Sequence, residues 1–140
     1  MDSNNSRRVD QIEMLDQALQ QQRRTVRCFE LMQAAAVNRD EKLALSAMQR
    51  EDRRHYYLLE GIFEELSGNA YKPSKVAIAM PRQYISMLQV MIRNKLDAIV
   101  FYEKLNETLE FVKHKELLEI VISDQKEQTR ILAEIYNNSL

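Results

Sequence analysis

The chain repeats itself. Slid against itself by 73 residues, its two halves match without a gap. Val26 falls on Ile99, Phe29 on Tyr102, Met32 on Leu105 and Glu30 on Glu103. Further along, Leu45 meets Leu118, Met48 meets Val121, and Leu58-Leu59 land on Ile131-Leu132. Ile62-Phe63 fall on Ile135-Tyr136. The matched apolar residues recur at helical spacing. Each half therefore reads as a helical hairpin, and two such hairpins pack as a four-helix bundle. Two Gly and two Pro are too few for a turn-rich sandwich or barrel. The fold class expected is all-α.

The apolar stripes place the helices at about 9–37, 40–66, 82–109 and 115–138. Ser6 or the Asn pair before it caps the first, and Asp40-Glu41 opens the second. Ser67-Gly68-Asn69 carries the residue types of a left-handed helix cap. Pro81 suits the first turn of the third helix. Between helices two and three lies a non-helical stretch, 68–80. Its 13 residues span at most about 43–47 Å when extended, and a helix of about 25 residues is about 37 Å long. The stretch can therefore run the length of the bundle and let the second and third helices lie parallel. The alternative is an up-down-up-down bundle with a loose loop. A loop of this length is uncommon without a purpose, which favours the crossover, with Val76–Met80 laid on a groove.

Twenty basic and 21 acidic side chains leave a net charge near −1, which argues against a protein built to coat nucleic acid or an anionic membrane. One cysteine, Cys28, excludes an internal disulfide framework and a four-thiolate zinc site. No apolar run approaches the length that spans a bilayer, and the residues from Met1 to Arg8 do not resemble a secretory leader. We expect one domain over 1–140, soluble and cytoplasmic.

Polar residues interrupt the inner stripes at matching places. Gln22 lies seven before Phe29, and Lys95 seven before Tyr102. Asp52 and His55 are i, i+3 neighbours, and Gln125 and Gln128 are their counterparts. Gln22 to Asp52 is 30 residues, as is Lys95 to Gln125. Helix geometry puts all six at one height in the bundle.

In this arrangement the chain resembles the ferritin-like superfamily, and within it the rubrerythrin-type di-iron carboxylate domains of bacteria and archaea. The likeness covers about residues 10–138. It is carried by Glu51-Asp52-Arg53-Arg54-His55 followed by an apolar run, by Pro81-x-x-Tyr84, and by Lys95-Leu96-x-Ala98 with Phe101-Tyr102-Glu103-Lys104-Leu105. The resemblance implies two hairpins joined by a long crossover. It also implies two metals held by a Glu on the first and third helices and a Glu-x-x-His pair on each of the others. At those positions this chain has Gln22, Lys95, Asp52 with His55, and Gln125 with Gln128. Only His55 is kept outright.

Four carboxylates, about −4, would balance two divalent cations, whereas Asp52 and Lys95 cancel each other. We therefore expect a buried Lys95–Asp52 pair, with Gln22, His55, Gln125 and Gln128 completing a hydrogen-bonded network. Such a network sets register more than it adds stability. The plainer alternative lets Lys95 snorkel to solvent. No metal or cofactor is expected. A weak single iron or zinc site on Glu51, Asp52 and His55 is the metal-bound alternative.

The remaining candidates have plain readings. His114 is expected to be solvated in the last connection, and Cys28 to be an inert buried thiol. Arg23, Arg24 and Arg27 form one basic strip and Arg50, Arg53 and Arg54 another; a salt-bridged, solvated face is the expectation, with nucleic-acid binding as the alternative. The methionines read as core filler, and exposure of Met14 or Met87 would mark an interface. The function expected is a non-catalytic ferritin-like module, structural or interacting, pairing as a homodimer or with another protein. The alternative is a divergent metal-dependent oxidoreductase handling peroxide or oxygen, using ligands such as Glu30, Glu51, Glu60 or Glu127.

Overall fold

Two apolar clusters, one towards each end, hold the protein together with a polar layer between them. The computed structural model describes residues 3–140, so the leader reading of Met1–Arg8 lies outside the described residues at Met1 and Asp2. Four helices follow in order: α1 Ser3–Ala35, α2 Arg39–Ser67, α3 Tyr84–Thr108 and α4 Val112–Asn138. No strand occurs among the described residues.

α1 and α2 form one hairpin and α3 and α4 the other. α1 also packs on α3, and α2 on α4, while the backbones of the diagonal pairs stay apart. One cluster joins Leu15 and Leu19 of α1 to Leu59, Ile62 and Leu66 of α2, Tyr102 and Leu105 of α3, and Leu118 and Val121 of α4. The other joins Phe29 and Met32 to Leu45 and Met48, Leu88 and Met91, and Leu132 and Ile135. The starts of α2 and α3 thus share one end of the bundle and their finishes the other. The two helices run parallel, which requires the connection to travel the bundle's length.

That connection is pinned along α1. Tyr71 sits in the first cluster, donates its hydroxyl to Asp16 Oδ1 at 2.9 Å and meets the Phe63 ring edge-on. Arg23 donates to the Ser74 carbonyl. Val76, Ile78 and Met80 turn inward while Ala77 and Ala79 face solvent, and Ile78 and Met80 pack on the second cluster. Alternation of this kind is that of an extended segment. At its far end Tyr84 donates to Glu41 Oε1 at 2.9 Å, tying the start of α3 to the start of α2.

The ends of α2 follow from its sequence. The Asn38 side chain accepts from the Glu41 N–H at 3.1 Å, and Asp40 and Glu41 face the positive end of the helix dipole. Gly68 takes φ +74 and donates its N–H to the Glu64 carbonyl, a backbone that a Cβ would strain.

Other bounds differ. α1 is already helical at Ser3, so Ser6 lies within the helix and does not cap it. Pro81 precedes α3, which is capped at Gln83 without a side-chain hydrogen bond. α4 starts at Val112, so His114 belongs to its first turn.

Candidate functional site

Mid-height in the bundle, each helix contributes a polar side chain to a layer closed from water. Gln22 comes from α1, Asp52 and His55 from α2, Lys95 from α3, and Gln125 and Gln128 from α4. All six are 2% exposed or less, so each polar atom has to find its partner within the protein.

The centre of the layer is an ion pair. Lys95 Nζ donates to Asp52 Oδ2 at 2.6 Å and to Gln125 Oε1 at 2.8 Å. The ammonium also stands 5.1 Å from the centroid of the Phe29 ring, a cation–π distance. Burial, the largest single influence, would push the Asp52 carboxyl up, but Lys95, as both charge and hydrogen-bond donor, and His55 together outweigh it and hold the group at about 2. Burial pulls Lys95 below the usual lysine range, against the opposing pull of Asp52.

Lys95 also orients the amide beside it. With its oxygen turned to the ammonium, Gln125 presents its nitrogen to Asp52 Oδ1 at 2.8 Å and to His55 Nδ1 at 3.0 Å. Nδ1 then accepts, and the ring proton lies on Nε2, 2.8 Å from Asp124 Oδ2. Gln128 donates to Glu51 Oε1 at 2.8 Å and Asp52 Oδ1 at 3.1 Å, while its own oxygen has no partner.

Gln22 stands one step aside. It donates to the Asp52 carbonyl at 3.2 Å and accepts from the Tyr102 hydroxyl at 2.6 Å. The internal repeat is visible here: Gln22 meets Tyr102, and its counterpart Lys95 faces Phe29, the counterpart of Tyr102. Five of the six residues read from the sequence form one connected set around Asp52, and Gln22 joins it through the α2 backbone. The Tyr102 hydroxyl and Asp124 were not anticipated. The first had a signal, since Tyr replaces Phe at the matched core position.

His114 is a correction. It is 2% exposed, and its Nε2 lies 2.7 Å from Glu65 Oε2 at the end of α2. Glu65 closes over the ring and, with Phe111 edge-on to it, removes it from water. The arginine strip of α1 is divided. Arg23 and Arg27 face the crossover beside Lys75, whereas Arg24 lines a groove against Asn94, Asp97 and Phe101 of α3. Arg50, Arg53 and Arg54 are exposed. Cys28 is buried, and burial raises its thiol against the pull of Lys95 and Arg24. Met87 is buried and Met14 packs on the first cluster, so neither marks an interface. Among the described residues no helix is long and apolar enough to cross a membrane.

No family model matches the chain, and no curated protein does. A solved structure does match: a two-domain protein from Anabaena variabilis ATCC 29413 containing DJ-1/ThiJ/PfpI-like and ferritin-like domains. The TM-score is 0.74 at 17% identity, over 94% of this chain and 37% of that one. The chain thus spans little more than a third of the length of that protein. With four helices, a lengthwise crossover and this match, the fold is ferritin-like.

Proposed function

We propose that the protein is a non-catalytic, rubrerythrin-related ferritin-like module whose mid-bundle layer has given up two irons for a protein ion pair. The observation that carries this reading is the 2.6 Å contact between Lys95 and Asp52 at the centre of the layer. A di-iron centre of this fold asks for about four carboxylates and two imidazoles. The layer here offers one carboxylate already paired, one imidazole, three amides and an ammonium. Amide oxygens are weak donors to iron, and the ammonium repels a cation. The donor set does not fit two irons.

What remains is a rigid bundle that presents helix faces. Leu96 and Val100 are exposed on α3, as are Leu43 and Tyr57 on α2, and pairing of two copies through a helix face is the partner arrangement this reading favours. The test is turnover. Protein incubated with ferrous iron should consume peroxide or oxygen no faster than the same iron in buffer. Acceleration abolished by His55→Ala would replace this reading with the oxidoreductase one.

A further inference from the structure

The geometry points to a single-cation site on the rim of the layer, made by Glu51 and His55 of α2 and Asp124 of α4, which takes one first-row transition-metal dication of the zinc type. One ligand atom from each of the three lies within 4.8 Å of the others. Bonds of about 2.0–2.2 Å at tetrahedral angles set the ligand atoms of one cation about 3.3–3.6 Å apart, so side-chain rotation draws the set together. Glu51 and His55 are i, i+4 neighbours on one helix face. His55 Nε2 already lies 2.8 Å from Asp124 Oδ2.

Charge and access agree. Glu51 and Asp124 carry −2 together, the complement of one dication, whereas the inner pair of Lys95 and Asp52 is already neutral. Asp52 stands between the ammonium and the imidazole, with Oδ2 on Lys95 and Oδ1 3.3 Å from His55 Nδ1. His55 is buried but Asp124 is 35% exposed, so a cation reaches the ring from solvent past the carboxylates. An imidazole nitrogen with two carboxylate oxygens suits zinc, manganese, cobalt or ferrous iron better than calcium or magnesium. Three protein ligands leave one position for water.

The surroundings supply what such a site needs. Gln128 holds the Glu51 carboxylate at 2.8 Å, and its buried oxygen, on the same amide, lacks a donor. A water carried by the cation is a donor of that kind. Binding at Nε2 moves the ring proton to Nδ1, where Asp52 Oδ1 receives it. A carboxylate behind a ligating histidine is the usual support. The exchange costs the hydrogen bond from Gln125 to Nδ1. The site bridges α2 and α4, the thinnest of the four interfaces, and a cation there pins the two hairpins together.

This inference rests on the reading that the inner layer is metal-free, and one titration separates the two. The metal-free chain is titrated with Co²⁺ and then Zn²⁺, following visible absorption and stoichiometry, alongside Glu51→Gln, Asp124→Asn and the groove control Asp97→Asn. The expected result is one equivalent per chain. Affinity should fall at least tenfold in each rim variant and stay unchanged in the control. No binding, or binding unaffected by both rim changes, overturns the rim site and leaves the proposed function standing. Two equivalents lost together in Asp52→Asn overturn both. Imidazole ¹⁵N spectra of the unaltered chain give a readout free of folding effects. Zinc should move the proton of His55 from Nε2 to Nδ1 and leave His114 as it was; an unchanged His55 overturns the site.

Discussion

Lys95 Nζ and Asp52 Oδ2 meet at 2.6 Å from residues 43 apart in sequence, on diagonal helices whose backbones do not approach closely. The pair spans the diagonal of the bundle. It joins the two hairpins at the one height where apolar packing is interrupted, and it fixes how one hairpin slides on the other.

Removing half of this pair should cost far more than removing all of it. Asp52→Leu strands a buried ammonium and Lys95→Met a buried carboxylate, and each is expected to destabilise by about 3–5 kcal/mol. Asp52→Leu with Lys95→Met removes both charges and is expected to be near neutral or stabilising. Urea unfolding of the two singles and the double measures the coupling. Equal losses in the singles and the double would deny the pair its role.

The same carboxylate sets an acid limit. Its folded value, about 2, lies below the 3.8 of a free aspartate, so the folded state favours the ionised form. The stabilisation is complete above pH about 4 and is lost as pH falls from there towards 2, about 2 kcal/mol in all. Stability measured by denaturant between pH 5 and 2 should fall along this course. In Asp52→Asn the fall should be shallower by that amount.

Two of the structure's main features are legible in the sequence. The repeat gave two hairpins, and the length of 68–80 with its Val76–Met80 run gave a crossover reaching end to end. The polar layer was legible because equal spacings, Gln22 to Asp52 and Lys95 to Gln125, put its members at one height. What stayed hidden depends on contacts between remote segments. His114 looked solvated because its sequence neighbours are polar; Glu65, at the far end of another helix, closes over it. Asp124 sits about 100° round the helix from Gln125, so periodicity places it off the inner face. It enters only because His55 reaches towards it from α2.

Tyr102 differs from its repeat partner Phe29 by one hydroxyl, which serves the buried oxygen of Gln22 at 2.6 Å. Tyr102→Phe should leave that oxygen unsatisfied, at a cost of about 1–3 kcal/mol. Adding Gln22→Leu should recover part of the loss. Thermal unfolding of the two variants checks the order.

Tyr71 anchors the crossover at its first third. Tyr71→Ala removes a ring packed in the first cluster and its bond to Asp16, at about 3–5 kcal/mol by comparison with other aromatic truncations. Limited proteolysis should then cut within 72–83 faster than the bundle unfolds. Cleavage at the same rate as in the unaltered protein would mean that the strap is held elsewhere.

Ferrous-iron loading under anaerobic conditions, read by native mass spectrometry, tests the central claim most directly. The unaltered chain should take no more than one cation. The variant Gln22→Glu, Asp52→Glu, Lys95→Glu should take two, and should be less stable without them. Two irons in the unaltered chain would contradict a layer that is balanced by its own lysine and aspartate.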